Sequence, residues 1–401
     1  MTNLKQKISI AEFLILLLIL GQMALYSLMW FRLLGDSSLK TMDFISLYGT
    51  GYLIRAGKYD QIYNAEAEAV VQRQVVGSTY DKPLIFNHPP HVTPLLALIA
   101  SEDYIRAYIY WTISGLLVLA LCVELIRRHL RRSGWDLLPA WIGALSCATF
   151  FPLFISLLIG QDTVYTLIGL LVWMFALLKG KEIQAGLGLM FAALSPTIAG
   201  ALALPLLASR RRAGLWFIVS MLGLAIYSLL LVGFQGIADL ITLLLTSSQG
   251  DYYGINWFAM YNLLGLLVRA FPNLSMDTVR GLVWGAAGLS ILGMCVFWWN
   301  KKDNLTMKHI GIAVILGVFT APHLHLHGLS YLLLPLLGMM LIFHERGYKI
   351  TALVLPPVIS SILIIIMFLL PEWNYAAYYL LMAAMLAGFT MVKAPKVLNT
   401  N

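Results

Sequence analysis

Long apolar runs, separated by short segments that carry Lys and Arg, constrain the fold of this chain more than any other feature. The first run, Ala11–Phe31, is long enough to cross a bilayer, which takes about 20 residues. Hydrophobic residues make up 60% of the sequence and charged residues 11%, whereas soluble domains are roughly 25% charged. The sequence therefore predicts an all-α polytopic membrane protein, a single integral membrane domain over residues 1–401.

Cysteine usage and net charge narrow the class further. Cys122, Cys147 and Cys295 lie far apart inside apolar runs, so the sequence contains no disulfide framework and no CxxC metal motif. The net charge of +8 comes from basic clusters between apolar runs, a pattern that records membrane topology. Nucleic acid is therefore not expected as a partner.

Ten stretches are predicted to span the membrane. They are Ala11–Phe31, Tyr104–Ile126, Leu137–Ile159, Thr163–Leu178, Gly214–Gly233, Val279–Trp299, Ile310–Thr320, Leu329–Phe343, Ile350–Leu370 and Tyr375–Val392. No small-residue cleavage site follows the first stretch, so it is interpreted as an uncleaved helix rather than a secretory signal.

One further apolar segment does not fit a simple alternation of sides. It lies between Lys179–Glu182 and Arg210–Arg212, two charged clusters that both favour the cytoplasm. The dipeptide Ser195-Pro196 divides it into halves that are each too short to cross alone. We expect a re-entrant helical pair with Ser195 near a watery cavity, the alternative being one Pro-kinked span.

With this pair re-entrant, most of the 27 Lys and Arg residues fall on the cytoplasmic side. Both termini are then cytoplasmic, and residues 32–103 form the first extracytoplasmic loop. The expected location is a cell membrane, such as a bacterial inner membrane, with any active site on the extracytoplasmic side.

The first loop is expected to contain two short helices along the membrane surface. The spacing of Tyr48, Tyr52 and Arg55 is helical, and Asn64 precedes a second helical run as its cap. Asp43 lies soon after the first span among aromatic residues, where a carboxylate can have a raised pKa and accept a proton. Its alternative role is that of an N-cap, because it begins a helical run.

Three other outer segments collect polar residues. Gln161 and Asp162 form a short turn between two spans and are also compatible with a simple helix start capped by the Asp. Asn256 begins the run NWFAMYN, whose Asn side chains either bind sugar hydroxyls or cap a helix. Polarity gathered at one face suggests an external reaction, because transporters usually place polar residues near the midplane, often in two similar halves.

The motif APHLHLHG places His323, His325 and His327 at alternate positions where a span emerges. If the segment is helical, His323 and His327 share a face and His325 points away. Three histidines raise the possibility of zinc, which also needs an open position and supporting groups. Hydrogen bonding or positive charge toward a phosphate is the preferred interpretation, and an interfacial polar rim is the other alternative.

Taken in order, six motifs in this chain resemble glycosyltransferase family 87. The motifs are MDF with YGTGYLIRAGKYDQIYN, FNHPPHVTPLLAL, GQDTVYTLIGLL, AGLGLMFAALSPTIAGALALPLLASRRR, NWFAMYN and APHLHLHGLSYLLLP. The resemblance implies a GT-C type membrane enzyme that uses a polyprenyl phosphate sugar, typically mannose. It also implies that Asp43 is the catalytic base, by its position in the first outer loop.

The chain departs from this family at two positions. Ser195-Pro196 stands where the family often has Lys-Pro, and His88 stands where an aromatic residue often precedes Pro-Pro. The missing lysine removes a candidate partner for phosphate or a contact with lipid of the cytoplasmic leaflet. His88 and the later histidines are candidates to supply positive charge instead.

The expected chemistry requires few groups. Transfer from a lipid phosphate needs one base for the acceptor hydroxyl, and the departing phosphate needs cations or fixed donors rather than a second carboxyl group as in glycoside hydrolysis. The candidate phosphate-binding residues are His323, His327, Arg55, Arg106 and His88; the candidate sugar or acceptor contacts are Tyr48, Gln161, Asn256 and His325. No metal and no cofactor is expected.

The expected partners are a polyprenyl phosphate sugar donor, a lipid or glycan acceptor and membrane lipids. The competing functions are a membrane transporter or lipid flippase, and a ligase that uses a diphosphate-linked glycan. A ligase of that kind generally has its large outer loop late in the chain, whereas here the largest outer segment comes first.

Overall fold

The structure is a computed structural model that describes residues 8–81, 83–247, 256–301 and 305–391. Within these ranges the regular secondary structure is entirely helical. The helices are α1 (Ile10–Leu34), α2 (Phe44–Arg55), α3 (Ala65–Val76), α4 (Thr93–Ile99), α5 (Tyr104–Arg132), α6 (Leu137–Ala148), α7 (Phe151–Leu158), α8 (Thr163–Leu178), α9 (Glu182–Phe191), α10 (Pro196–Ser209), α11 (Arg211–Ser247), α12 (Leu263–Ala270), α13 (Met276–Trp299), α14 (Met307–Thr320), α15 (Leu333–Glu345), α16 (Lys349–Leu369) and α17 (Asn374–Met391).

Six described helical segments are long and apolar enough to cross a membrane. They are α1, α5, α11, α13, α16 and the segment Leu326–Glu345, and the bent pair α6 and α7 makes a seventh if it counts as one span. Only 11% of the apolar window of α11 is buried in the protein, so most of this helix faces outward, as in a lipid-exposed span. These apolar helices indicate an integral membrane protein, and among the described residues the predicted spans in α8 and α14 are shorter apolar helices.

The predicted span Leu137–Ile159 is broken into two helices rather than continuous. The chain bends by 54° between α6 and α7, and Pro152 lies in the first turn of α7. Proline has no N–H to continue the ladder of the preceding helix and disfavours helical backbone at the residue before it.

A second break lies at Gly233, where α11 has a φ of 70°. The predicted end of a span at Gly233 is therefore a kink, after which the helix resumes.

The segment between the two inner charged clusters is divided as predicted. Its short helices α9 and α10 are separated at Ser195, and Pro196 begins the second helix. Arg210 Nη1 lies 3.8 Å from Glu182 Oε1, so the end of α10 is next to the start of α9. This proximity is what a re-entrant pair requires. At the break, the Ser195 side chain lies close to the Tyr331 hydroxyl.

The segment between α1 and α5 contains the two expected helices, α2 and α3. Asn64 caps α3 as predicted, accepting hydrogen bonds from the N–H groups of Glu66 and Ala67 at 3.0 Å. The FNHPPH run is not helical before Pro90, where a 3-10 turn leads into α4. These short elements lie against α2 and position the polar residues described next.

Candidate active site

Asp43 lies immediately before α2, and its carboxylate does not cap that helix. Its backbone is already helical, with φ −54° and ψ −28°, and its side chain accepts no capping hydrogen bond. The N-cap alternative is therefore wrong. The N–H of Phe44 instead donates to the carbonyl of Ile159 at 3.0 Å, which ties the start of α2 to the turn between α7 and α8.

That turn brings Gln161 to Asp43. Gln161 Nε2 donates to Asp43 Oδ2 at 2.8 Å, and the side chain of Asp43 remains 36% exposed. Gly160 makes the approach possible, because its φ is 77° and a Cβ there would lie 2.5 Å from the Cβ of Phe44. Trp111 Nε1 donates to the Gly160 carbonyl at 2.9 Å, which holds the turn in place.

The histidine segment approaches Asp43 from the other side. His327 Nδ1 lies 3.9 Å from Asp43 Oδ2, an ion-pair distance beyond hydrogen-bonding range. The segment is not helical at His323 and His325, so the arrangement expected for a helix, with His325 pointing away, does not apply. The rings of His323 and His325 are 4.7 Å apart, and those of His325 and His327 are 6.1 Å apart.

A second carboxylate, Asp162, pairs with His88. The two side chains are 8% and 16% exposed, and His88 Nδ1 lies 3.1 Å from Asp162 Oδ2. The capping interpretation of Asp162 is wrong, because its side chain makes no capping hydrogen bond to α8. Sequence reasoning treated His88 as a possible cation but assigned Asp162 no role in the site.

The imidazoles in the outer segments differ in their electrostatic environment. Burial alone would lower the pKa of His88, but the Asp162 carboxylate, with a smaller contribution from Asp43, raises it above its ordinary value. Burial and the neighbouring imidazoles lower the pKa of His323 to about 3. Burial also lowers the pKa of His325, although the Ala259 carbonyl and Asp43 oppose this. Positive charge is therefore favoured at His88 over His323 and His325.

The segment before α12 supports the histidines. The N–H of Tyr261 donates to the carbonyl of Leu324 at 2.9 Å. Asn262 Nδ2 donates to the carbonyl of Ala321 at 2.7 Å, and Asn262 Oδ1 caps α12 through the N–H of Gly265. For Asn262 the capping alternative is thus confirmed, whereas the side chain of Asn256 is exposed.

Three of the predicted site residues make their polar contacts with groups other than those around Asp43. The hydroxyl of Tyr48 donates to the carbonyl of Ser101 at 2.8 Å, and Arg55 donates to the carbonyl of Ala100. Arg106 lies in the first turn of α5, where its N–H donates to the carboxylate of Asp103. These contacts occupy the Tyr48 hydroxyl and the Arg55 guanidinium in local packing.

The site thus combines a partly exposed carboxylate with a buried ion pair and three clustered imidazoles. Such a group can accept a proton at Asp43 and stabilise an anion next to it. Within the described part of the chain, no group of three or more His, Cys, Asp and Glu side chains is arranged to hold a metal ion.

Comparison with known proteins gives one match. The sequence model of glycosyltransferase family 87 matches residues 86–322. This range includes His88, Gln161 and Asp162, ends just before His323 and begins after Asp43. No curated protein and no solved structure matches the chain. Because the family match covers more than half of the sequence, the chain belongs to glycosyltransferase family 87 and is a glycosyltransferase.

Proposed function

We propose that this glycosyltransferase transfers a hexose, with mannose as the expected sugar, from a polyprenyl phosphate donor to a lipid or glycan acceptor. The reaction takes place at the extracytoplasmic face of a cell membrane such as a bacterial inner membrane, and both termini of the chain are cytoplasmic. The observation that carries the proposal is the Asp43 carboxylate, which is partly exposed, accepts a hydrogen bond from Gln161 and lies in ion-pair range of His327.

Asp43 acts as the general base in this proposal. It accepts the proton of the acceptor hydroxyl while the hydroxyl oxygen forms a bond to the anomeric carbon of the sugar. The bond between that carbon and the phosphate oxygen breaks, and the phosphate leaves with the electron pair. Direct displacement of this kind inverts the anomeric configuration, and it needs one carboxylate rather than the pair used in glycoside hydrolysis.

The leaving phosphate requires a positive or hydrogen-bonding environment. His88 is the best-placed cation, because Asp162 favours its charged form. His327 lies closest to Asp43 among the three later histidines and is assigned to the phosphate together with His323. Gln161 orients Asp43 through its amide, and His325 remains a candidate contact for the sugar or the acceptor.

The competing function is transport or flipping of a lipid. A transporter usually binds its substrate near the midplane through polar groups within the helices, whereas this polar group is built from segments that connect helices. A ligase that uses a diphosphate-linked glycan is disfavoured by the early position of the largest outer segment.

The test is Asp43→Asn, with Asp60→Asn as the matched control. Asp60 is exposed in the same outer segment, so the control makes the same chemical change away from the site. Purified protein is given a synthetic polyprenyl phosphate mannose and a membrane lipid extract, and products are identified by mass spectrometry. D43N should lower transfer by about 10²–10⁴-fold, the usual contribution of a general base, and D60N should not.

Two results would overturn the proposal. If folded Asp43→Asn transfers sugar at the wild-type rate, Asp43 is not the base. Movement of labelled lipid across proteoliposome membranes, with no sugar transfer by the wild-type protein from any polyprenyl phosphate sugar supplied, would favour the flippase instead.

A further inference from the structure

We propose that Asp162 is a positioning residue that keeps His88 cationic, so that binding of the leaving phosphate weakens as the pH rises and His88 loses its proton. This inference rests on the proposed function, because the ligand is the phosphate of the polyprenyl donor. Asp162 then acts through His88 without taking part in the transfer step. Donor binding depends on the protonation of one side chain, His88.

The contacts of His88 restrict the position of its imidazole ring. His88 Nδ1 lies 3.1 Å from Asp162 Oδ2, and both side chains are largely buried. The Tyr63 hydroxyl donates to the backbone carbonyl of His88 at 2.8 Å, and the ring of Phe86 lies 5.3 Å from the imidazole. Because Nδ1 is the ring nitrogen next to Asp162 Oδ2, Nε2 is the nitrogen that we assign to the phosphate.

Few charged groups act on His88. Asp162 comes from the turn before α8, and Asp43 comes from the segment before α2; both favour the imidazolium. His323 and His327 face it from the segment after α14, and their electrostatic interaction with His88 is repulsive when these rings are charged.

This balance determines how the charge responds to pH. Burial would lower the pKa of His88, and Asp162 more than offsets this effect. His88 is therefore charged to a higher pH than an ordinary histidine, and it becomes neutral when the pH rises through its raised pKa. Since burial lowers the pKa values of His323 and His325, these two rings do not replace the lost charge.

The experiment measures binding of the methyl diester of a short-chain polyprenyl phosphate, whose single negative charge is constant over the range, to purified protein in detergent between about pH 5.5 and pH 9. If only the protonated His88 binds, affinity should fall roughly tenfold for each pH unit above its pKa. His88→Lys should remove this fall, because a lysine keeps its charge over the same range. Asp162→Asn should move the fall to lower pH.

His91→Gln is the matched control. His91 belongs to the same proline turn and has no role in the proposed site, so its replacement should leave the pH profile of binding unchanged. Asp162→Glu, which keeps a carboxylate, provides a second variant if Asp162→Asn does not fold. The pH profile of binding by the wild-type protein can be measured whether or not a variant folds.

Wild-type binding that is independent of pH would overturn the inference, as would an unchanged midpoint in folded Asp162→Asn. Failure of the proposed function looks different, because transfer would then be insensitive to Asp43→Asn while the binding profile of the wild type persisted. Conversely, transfer that depends on Asp43, together with a flat binding profile, would reject the role of the His88–Asp162 pair alone.

Discussion

Two acidic side chains in the segment between α1 and α5 have opposite surroundings. Asp43 is 36% exposed and accepts one side-chain hydrogen bond, from Gln161. Glu68 in α3 is 0% exposed. It accepts hydrogen bonds from the Thr50 hydroxyl at 2.7 Å and from the Phe86 N–H at 3.1 Å, and the amide of Gln72 lies 3.4 Å away.

Glu68 stabilises the fold, whereas Asp43 remains accessible for chemistry. The donors to Glu68 come from α2, α3 and the segment just before His88, so this side chain joins elements that carry the site without reaching the site itself. A base must keep accessible lone pairs for an incoming hydroxyl. Asp43 keeps them because its side chain makes no capping hydrogen bond to α2.

The largest expected effect on stability comes from Glu68→Ala. The substitution leaves the hydroxyl of Thr50 and the N–H of Phe86 buried without their partner, at about 1–3 kcal/mol each. We expect a loss of roughly 3 kcal/mol in the free energy of unfolding, seen as earlier thermal denaturation in detergent. Transfer per folded molecule should change far less than in an Asp43 variant.

Asp43→Ala is the counterpart that sharpens this comparison. It removes one hydrogen bond at a partly exposed position, so the cost should be at most about 1 kcal/mol, while transfer should be lost. If Asp43→Ala destabilises the protein as much as Glu68→Ala, the proposed division between a structural and a catalytic carboxylate is wrong.

A smaller loss of stability is expected from Gly160→Ala. The new Cβ would lie 2.5 Å from the Cβ of Phe44, in a backbone conformation with φ 77°. A residue other than glycine is strained there by about 1–2 kcal/mol, and the clash would also displace Gln161 from Asp43. Both thermal stability and transfer should fall.

Gly57→Ala isolates the contribution of backbone strain. Gly57 has a φ of 75°, and a Cβ added there would meet no atom within 4 Å, so the substitution introduces similar strain without the contact with Phe44. Equal transfer rates in the two variants would show that the approach of Gly160 to Phe44 does not position Asp43.

Local signals in the sequence predicted many helix bounds, and they failed where distant residues decide the structure. The predicted Thr163–Leu178 is the observed α8, and Asn64 caps α3 as expected. Pro322 accounts for the end of α14, because it disfavours helical backbone at the residue before it. The His323–His327 segment that follows has no local helical signal and is held by Tyr261 and Asn262.

The contact between His88 and Asp162 was beyond sequence reasoning for a related reason. Each residue had a local explanation, one in a proline turn and the other at a helix start. Their pairing depends on how the first outer segment packs against the turn between α7 and α8, and no periodicity records that. One signal was present: a histidine in place of an aromatic residue introduced a group that can carry charge into a buried turn.

A gradual pH dependence of stability is expected at Glu68, at most about 1.4 kcal/mol for each pH unit. Burial raises the pKa of Glu68 to about 8, with Thr50 and Phe86 offsetting part of the increase, whereas an unfolded chain has a value of about 4.3. A raised pKa in the folded state means that the stability contribution is complete below the unfolded value and is lost as the pH rises through about 8. Wild-type thermal stability should therefore decline over this interval.

Glu68→Gln should flatten that decline, because the amide has no proton to lose. Glu66→Gln is the matched control, since Glu66 lies on the same helix but its side chain is exposed and pairs with Arg73 at 3.0 Å. A wild-type decline that persists unchanged in Glu68→Gln would assign the titration to another group. Glu68 would then be a carboxylate that stays ionised because its donors outweigh its burial, and its contrast with Asp43 would lie in accessibility alone.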